Sequence, residues 1–168
     1  MNILIIRHAL AEDAETYTAK KGNDARRPLS DDGIAKMHRV AVGLHRLVDH
    51  IDIIGHSPFR RAVQTAQIVD KYYSKAHTLE VEELVPGSGA QMVANWLEFI
   101  SRDATVALIG HEPDLSQLIG WLTVGEASSF VQLKRSGAAL LSCEGKPSAG
   151  CAELLWMLTP KQLRKLAD

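Results

Sequence analysis

Residues 3–6, Ile-Leu-Ile-Ile, form an unbroken apolar run that stops abruptly at Arg7-His8. A strand buried on both faces of a parallel sheet reads this way. Open α/β sheets bind their ligands in the crevice beyond the carboxyl ends of such strands. Arg7 and His8 are therefore expected where chemistry is done. A histidine after one strand is weak evidence, since histidine is partly buried in many ordinary folds; two later strands add to it.

Residues 9–28 are rich in charge, alanine and threonine and read as a long loop or a loosely helical segment that carries Arg26 and Arg27. Loops this long in compact domains are usually functional or mobile. Ser30-Asp31-Asp32-Gly33 then opens a helix, with Ser30 as cap and two aspartates at the positive end of the dipole. Ile34, Met37, Ala41, Leu44 and Val48 supply its core stripe. His38 and His45 share another face, which reads as solvated because no carboxylate or thiol completes a metal set.

A second strand is expected over 51–55, followed by His56-Ser57-Pro58-Phe59-Arg60-Arg61-Ala62. Ser57 as cap with Pro58 at the first helical position predicts a helix to about Tyr73. A third strand is read over 78–82, a helix over 90–101, and a fourth strand over 105–109 that stops at Gly110-His111-Glu112-Pro113. A helix starts near Pro113, and segments 138–142 and 152–158 form an antiparallel pair around Gly145-Lys146-Pro147-Ser148. Thr159-Pro160 opens a last helix. The alternation predicts a right-handed three-layer α/β/α sandwich, its central sheet mostly parallel with an antiparallel C-terminal addition.

At 168 residues, 46% of them hydrophobic, the chain fits one domain with a sizeable core. A formal net charge of −1 gives no global field to attract nucleic acid or an anionic membrane, so any anion recognition is local. The N-terminal apolar run is too short for a signal-peptide core or a membrane span, which points to a soluble, cytoplasmic protein. Cys143 and Cys151 lack a second pair to complete a zinc site and read as two reduced thiols without a function.

Parallel strands share one carboxyl edge, so Arg7 and His8, the Ser57–Arg61 segment and Gly110-His111 are expected to converge there. Guanidinium forks match phosphate oxygens. A neutral imidazole is a competent nucleophile that can carry a phosphoryl group between two displacement steps. Arg7, Arg61 and a loop arginine can hold the equatorial oxygens of the transition state while His111 donates a further hydrogen bond.

Arg7-His8-Ala9 after the first strand, Arg27-Pro28-Leu29-Ser30 with Gly33, Ser57-Pro58 with Arg61-Ala62 and Gln64-Thr65-Ala66, and Gly110-His111 together resemble the histidine phosphatase (phosphoglycerate-mutase-like) superfamily. Within it the chain is similar to the short phosphohistidine phosphatases of the SixA type. The resemblance implies that His8 is the phosphorylated nucleophile, that Arg7, Arg61 and His111 form the phosphate pocket, and that Arg27 and Ser57 join it. It also implies that neither metal nor cofactor takes part. Arg26 and Arg60 do not fit the family spacing. Ala9 stands where many members have glycine, and His56 replaces a small residue.

Glu83 is the positional candidate for a general acid, with Glu82 second; a solvated-edge role is the alternative for both. Only twenty residues separate Arg61 from Glu82, which leaves no acid-bearing insertion to roof the site. The expected activity is removal of the phosphoryl group from phosphohistidine on a signalling or phosphotransfer protein. A small-molecule phosphomonoesterase acting on sugar or nucleotide phosphates, a non-catalytic phosphate-binding module and a metallohydrolase are its rivals.

Overall fold

The N-terminal apolar run becomes β1 (Asn2–Arg7), placed between β4 (Thr105–Gly110) and β5 (Ala138–Cys143) in a computed structural model that describes residues 1–168, Lys21 by its backbone alone. With β2 (Ile53–His56), β3 (His77–Glu80) and β6 (Ala152–Leu158), the sheet order is β3-β2-β4-β1-β5-β6. The pairs β1–β4, β2–β4 and β2–β3 are parallel, whereas β5 runs antiparallel to β1 and β6 antiparallel to β5. This is the expected mixed sheet.

Ile3, Leu4, Ile5 and Ile6 are fully buried because both faces of β1 are covered. On one face α2 (Asp31–Leu47), α3 (Arg60–Asp70) and α6 (Pro160–Lys165) set Met37, Leu44, Val69 and Leu163 in one cluster with Leu4, Ile6 and Ile109. On the other, α4 (Ala90–Leu97) and α5 (Asp114–Val124) bring Leu97, Leu118 and Leu122 together with Ile3, Ile5 and Leu108. Successive strand residues point to opposite faces, so an all-apolar strand feeds both layers. No helix among the described residues is long and apolar enough to cross a membrane.

Register sets the site. Arg7 stands opposite Gly110, and His56 opposite Ile109. One further bond extends each ladder, His8 N–H to Gly110 O at 3.1 Å and Ser57 N–H to Ile109 O at 3.0 Å. His8, Ser57 and His111 thus leave three neighbouring strands at one level.

Several expectations are narrowed or corrected. Segment 9–28, read as either a long loop or a loosely helical segment, takes the second form: α1 (Ala14–Lys21) is capped by Asp13, which accepts from Thr16 N–H at 2.9 Å, and a 3₁₀ turn follows over Asp24–Arg26. The helix read from Ser57-Pro58 starts instead at Arg60, behind Phe59, which makes no side-chain cap. The reason is that the Ser57 hydroxyl, besides accepting from Phe59 N–H at 3.3 Å, is engaged by His111. That helix ends at Asp70 and α4 at Leu97, each a few residues early, and β3 is a short edge strand with all of its residues exposed.

His45 is exposed, as expected of a solvated face, whereas His38 is half-buried, and each has an aromatic neighbour. Nδ1 of His38 lies 3.2 Å from the Tyr72 hydroxyl, and the ring of His45 stands edge-on to Tyr73 at 5.1 Å. The two cysteines are not free thiols: Cys143 and Cys151 form a disulfide across the mouth of the β5–β6 hairpin, with Cα atoms 5.5 Å apart. That lies within the span such a bridge requires.

Helix α2 presses close to the loop that follows His8. A Cβ added at Gly33 would lie 2.0 Å from the Leu10 carbonyl oxygen, which itself accepts from Ser30 N–H at 3.0 Å. Gly33→Ala must therefore move backbone. It is expected to cost ~2 kcal/mol, in the range of other overpacking changes, and to lower the thermal midpoint by ~4–8 °C for a chain of this size; calorimetry checks both.

Candidate active site

His8 follows β1 and is 6% exposed. Its Nδ1 lies 2.7 Å from the Ala9 carbonyl oxygen. A carbonyl only accepts, so Nδ1 carries the proton and Nε2 keeps its lone pair. The backbone under the ring is fastened as well: Ala9 N–H donates to Thr65 Oγ1 at 3.0 Å, and the Thr65 hydroxyl donates to the Arg61 carbonyl at 2.6 Å. The loop bearing His8 is thereby tied to the first turns of α3.

The His111 ring lies 5.1 Å from that of His8, centroid to centroid. Its Nε2 is 2.9 Å from Oγ of Ser57, a fully buried hydroxyl that already accepts from Phe59 N–H. The one hydroxyl proton is then free to donate to Nε2, which puts the ring proton on Nδ1. Nδ1 is buried and has no partner. Two further buried nitrogens share that condition, Nε of Arg7 and Nε of Arg61. Buried donors are nearly always satisfied in native proteins, so three orphans, on the last residue of β1, the first turn of α3 and the residue after β4, mark a place built for an acceptor.

The guanidinium groups are braced from behind. Arg7 Nη1 donates to the Leu133 carbonyl at 2.8 Å, and Leu133 N–H donates to Glu112 Oε1 at 2.8 Å. Arg61 Nη1 donates to the Asp24 carbonyl at 2.9 Å and stands 3.1 Å from its carboxylate. The plane of Arg61 also sits 4.9 Å above the Phe59 ring. Arg27 donates from Nε to Asp24 Oδ1 at 2.7 Å and from Nη1 to the Glu12 carbonyl at 2.8 Å. Arg61 is buried, whereas Arg60 is exposed.

A family model described as the histidine phosphatase superfamily (branch 1) matches residues 3–84, from β1 to the turn after β3. An uncharacterized protein of Picosynechococcus sp. strain PCC 7002 is 31% identical over 167 residues, covering 97% of this chain and 99% of that protein. Phosphohistidine phosphatase SixA of Escherichia coli K12 is 26% identical, with 98% of this chain and 97% of that one covered. The solved structure of protein histidine phosphatase SixA complexed with tungstate superposes with a TM-score of 0.81 at 25% identity, over 97% of this chain and 99% of that one. The chain belongs to the histidine phosphatase superfamily.

In this member of the superfamily the matched segment carries Arg7, His8, Arg27, Ser57 and Arg61, while His111, directly after β4, lies beyond it. Glu83 is half-buried and Glu82 exposed, both on the 3₁₀ turn Glu82–Leu84, and Glu83 makes no hydrogen bond or ion pair among the described residues. Leu84 on that turn packs toward Gly110, which sets the turn against the end of β4. His56 is buried with Nδ1 3.0 Å from the Ser57 carbonyl, a contact that fixes its own strand end. Among the described residues no three His, Cys, Asp or Glu side chains gather as a metal set.

Sequence reasoning missed three residues. Asp24 bridges Arg27 and Arg61, Thr65 holds the His8 loop, and Glu112 braces Arg7 through Leu133. Asp24 is spaced for an i,i+3 contact with Arg27, but nothing local announces Arg61 as its second partner.

Burial above all, then the charges of Arg61, Arg7 and Arg27, outweigh the Ala9 hydrogen bond and push the His8 pKa down to about 3. Burial likewise pushes His111 down to about 3, followed by His8 and Arg61, with Asp24 opposing. Both rings are neutral at physiological pH. In the unfolded chain each takes up a proton near pH ~6.5. Between there and about pH 3 the unfolded state binds more protons, so stability falls as pH falls through that window. Thermal midpoints measured from pH 7 to pH 4.5 are expected to drop, and His111→Gln, which removes one of the two titrations, is expected to flatten the slope.

Proposed function

We propose that this chain is a metal-independent phosphatase that removes the phosphoryl group from phosphohistidine on a signalling or phosphotransfer protein, through a covalent phosphohistidine on His8. One observation carries the reading. The bare Nε2 of a neutral, buried His8 shares its site with three unpartnered nitrogens of Arg7, Arg61 and His111. A nucleophile needs its lone pair, and a phosphoryl group supplies the acceptors those nitrogens lack.

In the first step the Nε2 lone pair of His8 forms a bond to phosphorus as the bond from phosphorus to the substrate nitrogen breaks. The leaving imidazole keeps that electron pair and takes a proton. Arg7, Arg61 and Arg27 hold the equatorial oxygens, and His111 donates from Nδ1, its tautomer set by Ser57. In the second step water attacks phosphorus, His8 departs with the pair it donated, and phosphate is released. Glu83 is the proton donor of the first step and the acceptor of the second.

The short connections on either side of β3, residues 71–76 and 81–89, support an open site that a protein side chain can reach. SixA of Escherichia coli, similar over nearly the whole chain, bears the name phosphohistidine phosphatase.

Rapid quench with a labelled phosphohistidine protein is expected to trap acid-labile, base-stable label on the wild type and none on His8→Ala. No trapped label sinks the covalent route. Faster turnover of a sugar- or nucleotide-phosphate panel than of the phosphoprotein sinks the substrate assignment.

Imidazole is a better leaving group than an alkoxide and needs less protonation. Glu83→Gln is therefore expected to lower kcat on an alkyl phosphate by ~10²-fold, a typical general-acid contribution, and to lower it far less on phosphohistidine. Equal losses on both substrates remove Glu83 from the acid role.

A further inference from the structure

Beside the phosphoryl site, and sharing Arg7 with it, lies an open groove of about 470 Å³. Five cationic side chains line it: Arg7 from β1, Lys36 from α2, Lys134 and Arg135 from the segment before β5, and Arg164 from α6. No carboxylate lines it. Lys36 is paired with Asp32 at 2.6 Å, but Lys134, Arg135 and Arg164 have no ion pair among the described residues. Ser136, buried with φ of 63°, turns the chain at the groove wall and donates its N–H to the Arg7 carbonyl at 3.1 Å.

Like charges gathered within a Debye length repel and raise the local positive potential. They do so here in a chain whose formal net charge is −1. Lys134 and Arg135 are exposed, unlike the buried, orphaned nitrogens of the phosphoryl site. Spread, solvated cations suit several carboxylates on a protein surface better than one small anion held in a cradle.

We propose that this groove docks acidic residues flanking the phosphorylated histidine of the partner protein. It rests on the phosphohistidine reading for the identity of that partner. The groove then sets which phosphoprotein is presented to His8, while the phosphoryl chemistry is left to the site beside it.

The test uses fluorescein-labelled peptides with a central phosphohistidine flanked by glutamates or by glutamines. Affinity is measured by anisotropy on the His8→Ala full chain, and turnover on the wild type. The glutamate peptide is expected to bind ~10-fold more tightly at low salt, the lower end of electrostatic steering effects. That preference is expected to vanish in 1 M salt, where the Debye length is about 3 Å, and in Lys134→Gln/Arg135→Gln/Arg164→Gln. In the same triple variant, with His8 intact, turnover of p-nitrophenyl phosphate is expected to be unchanged.

Equal affinity for the two peptides overturns the proposal. So does equally tight binding of a ten-nucleotide oligothymidylate, which would make the groove a general polyanion site. A glutamate preference without turnover of either peptide by the wild type supports the groove and sinks the phosphohistidine reading, so the two failures are distinguishable.

Discussion

The hydrogen bond from His8 Nδ1 to the carbonyl of the very next residue decides what chemistry this chain can do. It fixes the tautomer, so Nε2 keeps its lone pair, and it fixes the ring, so that pair has one direction. Nothing about the bond is strong by itself; a hydrogen bond of this kind contributes on the order of 1 kcal/mol. Its effect depends on the peptide beneath it being immobile. Thr65 supplies that immobility by accepting from Ala9 N–H and donating to the Arg61 carbonyl, which ties β1 and α3 through one hydroxyl. His8 and Arg61, the proposed nucleophile and phosphate ligand, are thus held by the same side chain.

Around that ring the difficulty is an excess of like charge. Arg7, Arg27 and Arg61 all act on His8 and lower its basicity. Asp24 offsets part of the field by pairing with Arg27 and Arg61 together. Burial raises the proton affinity of the Asp24 carboxyl, yet the two guanidinium groups outweigh it and hold the group below the usual carboxylate range. Arg7 makes no ion pair of that kind: the Glu112 carboxylate acts on it through space and holds the Leu133 N–H, while the Leu133 carbonyl accepts from Arg7 Nη1. A dipole placed behind a cation steadies it without cancelling it. The three arginines are therefore oriented by different means, and the charge left over faces the two neutral imidazoles.

Strand ends were the legible part of the sequence. A continuous apolar run has to be buried on both faces, and in a parallel sheet that fixes which end carries the polar residues, so Arg7, His8 and His111 could be gathered on paper. The start of α3 was not legible, because Ser57-Pro58 has the chemistry of a helix cap and only the fold reveals that the Ser57 hydroxyl is engaged by His111. Asp24, Thr65 and Glu112 act across 37, 56 and 21 residues of chain. No periodicity records contacts of that range. The disulfide was closer to view: a hairpin with strands over 138–142 and 152–158 brings Cys143 and Cys151 face to face at its turn, but their spacing alone does not say so.

In the proposed double displacement, the burial that chiefly keeps His8 neutral, with the arginine charges added to it, bears on both halves. A nucleophile of low basicity attacks less readily and leaves more readily, so the cage slows bond formation and favours the second step, in which water must expel His8 from phosphorus. Arginines that grip the phosphoryl oxygens compensate the first half by neutralising the charge the attacking pair approaches. With phosphohistidine as substrate, one phosphorus–nitrogen bond is exchanged for another, and the first step is close to balanced before the protein adds anything. With an ester, a phosphorus–oxygen bond is exchanged for a weaker one, and an acid has to make up the difference. A turn that sets Glu83 near the end of β4 without a fixed partner suits the first substrate better than the second.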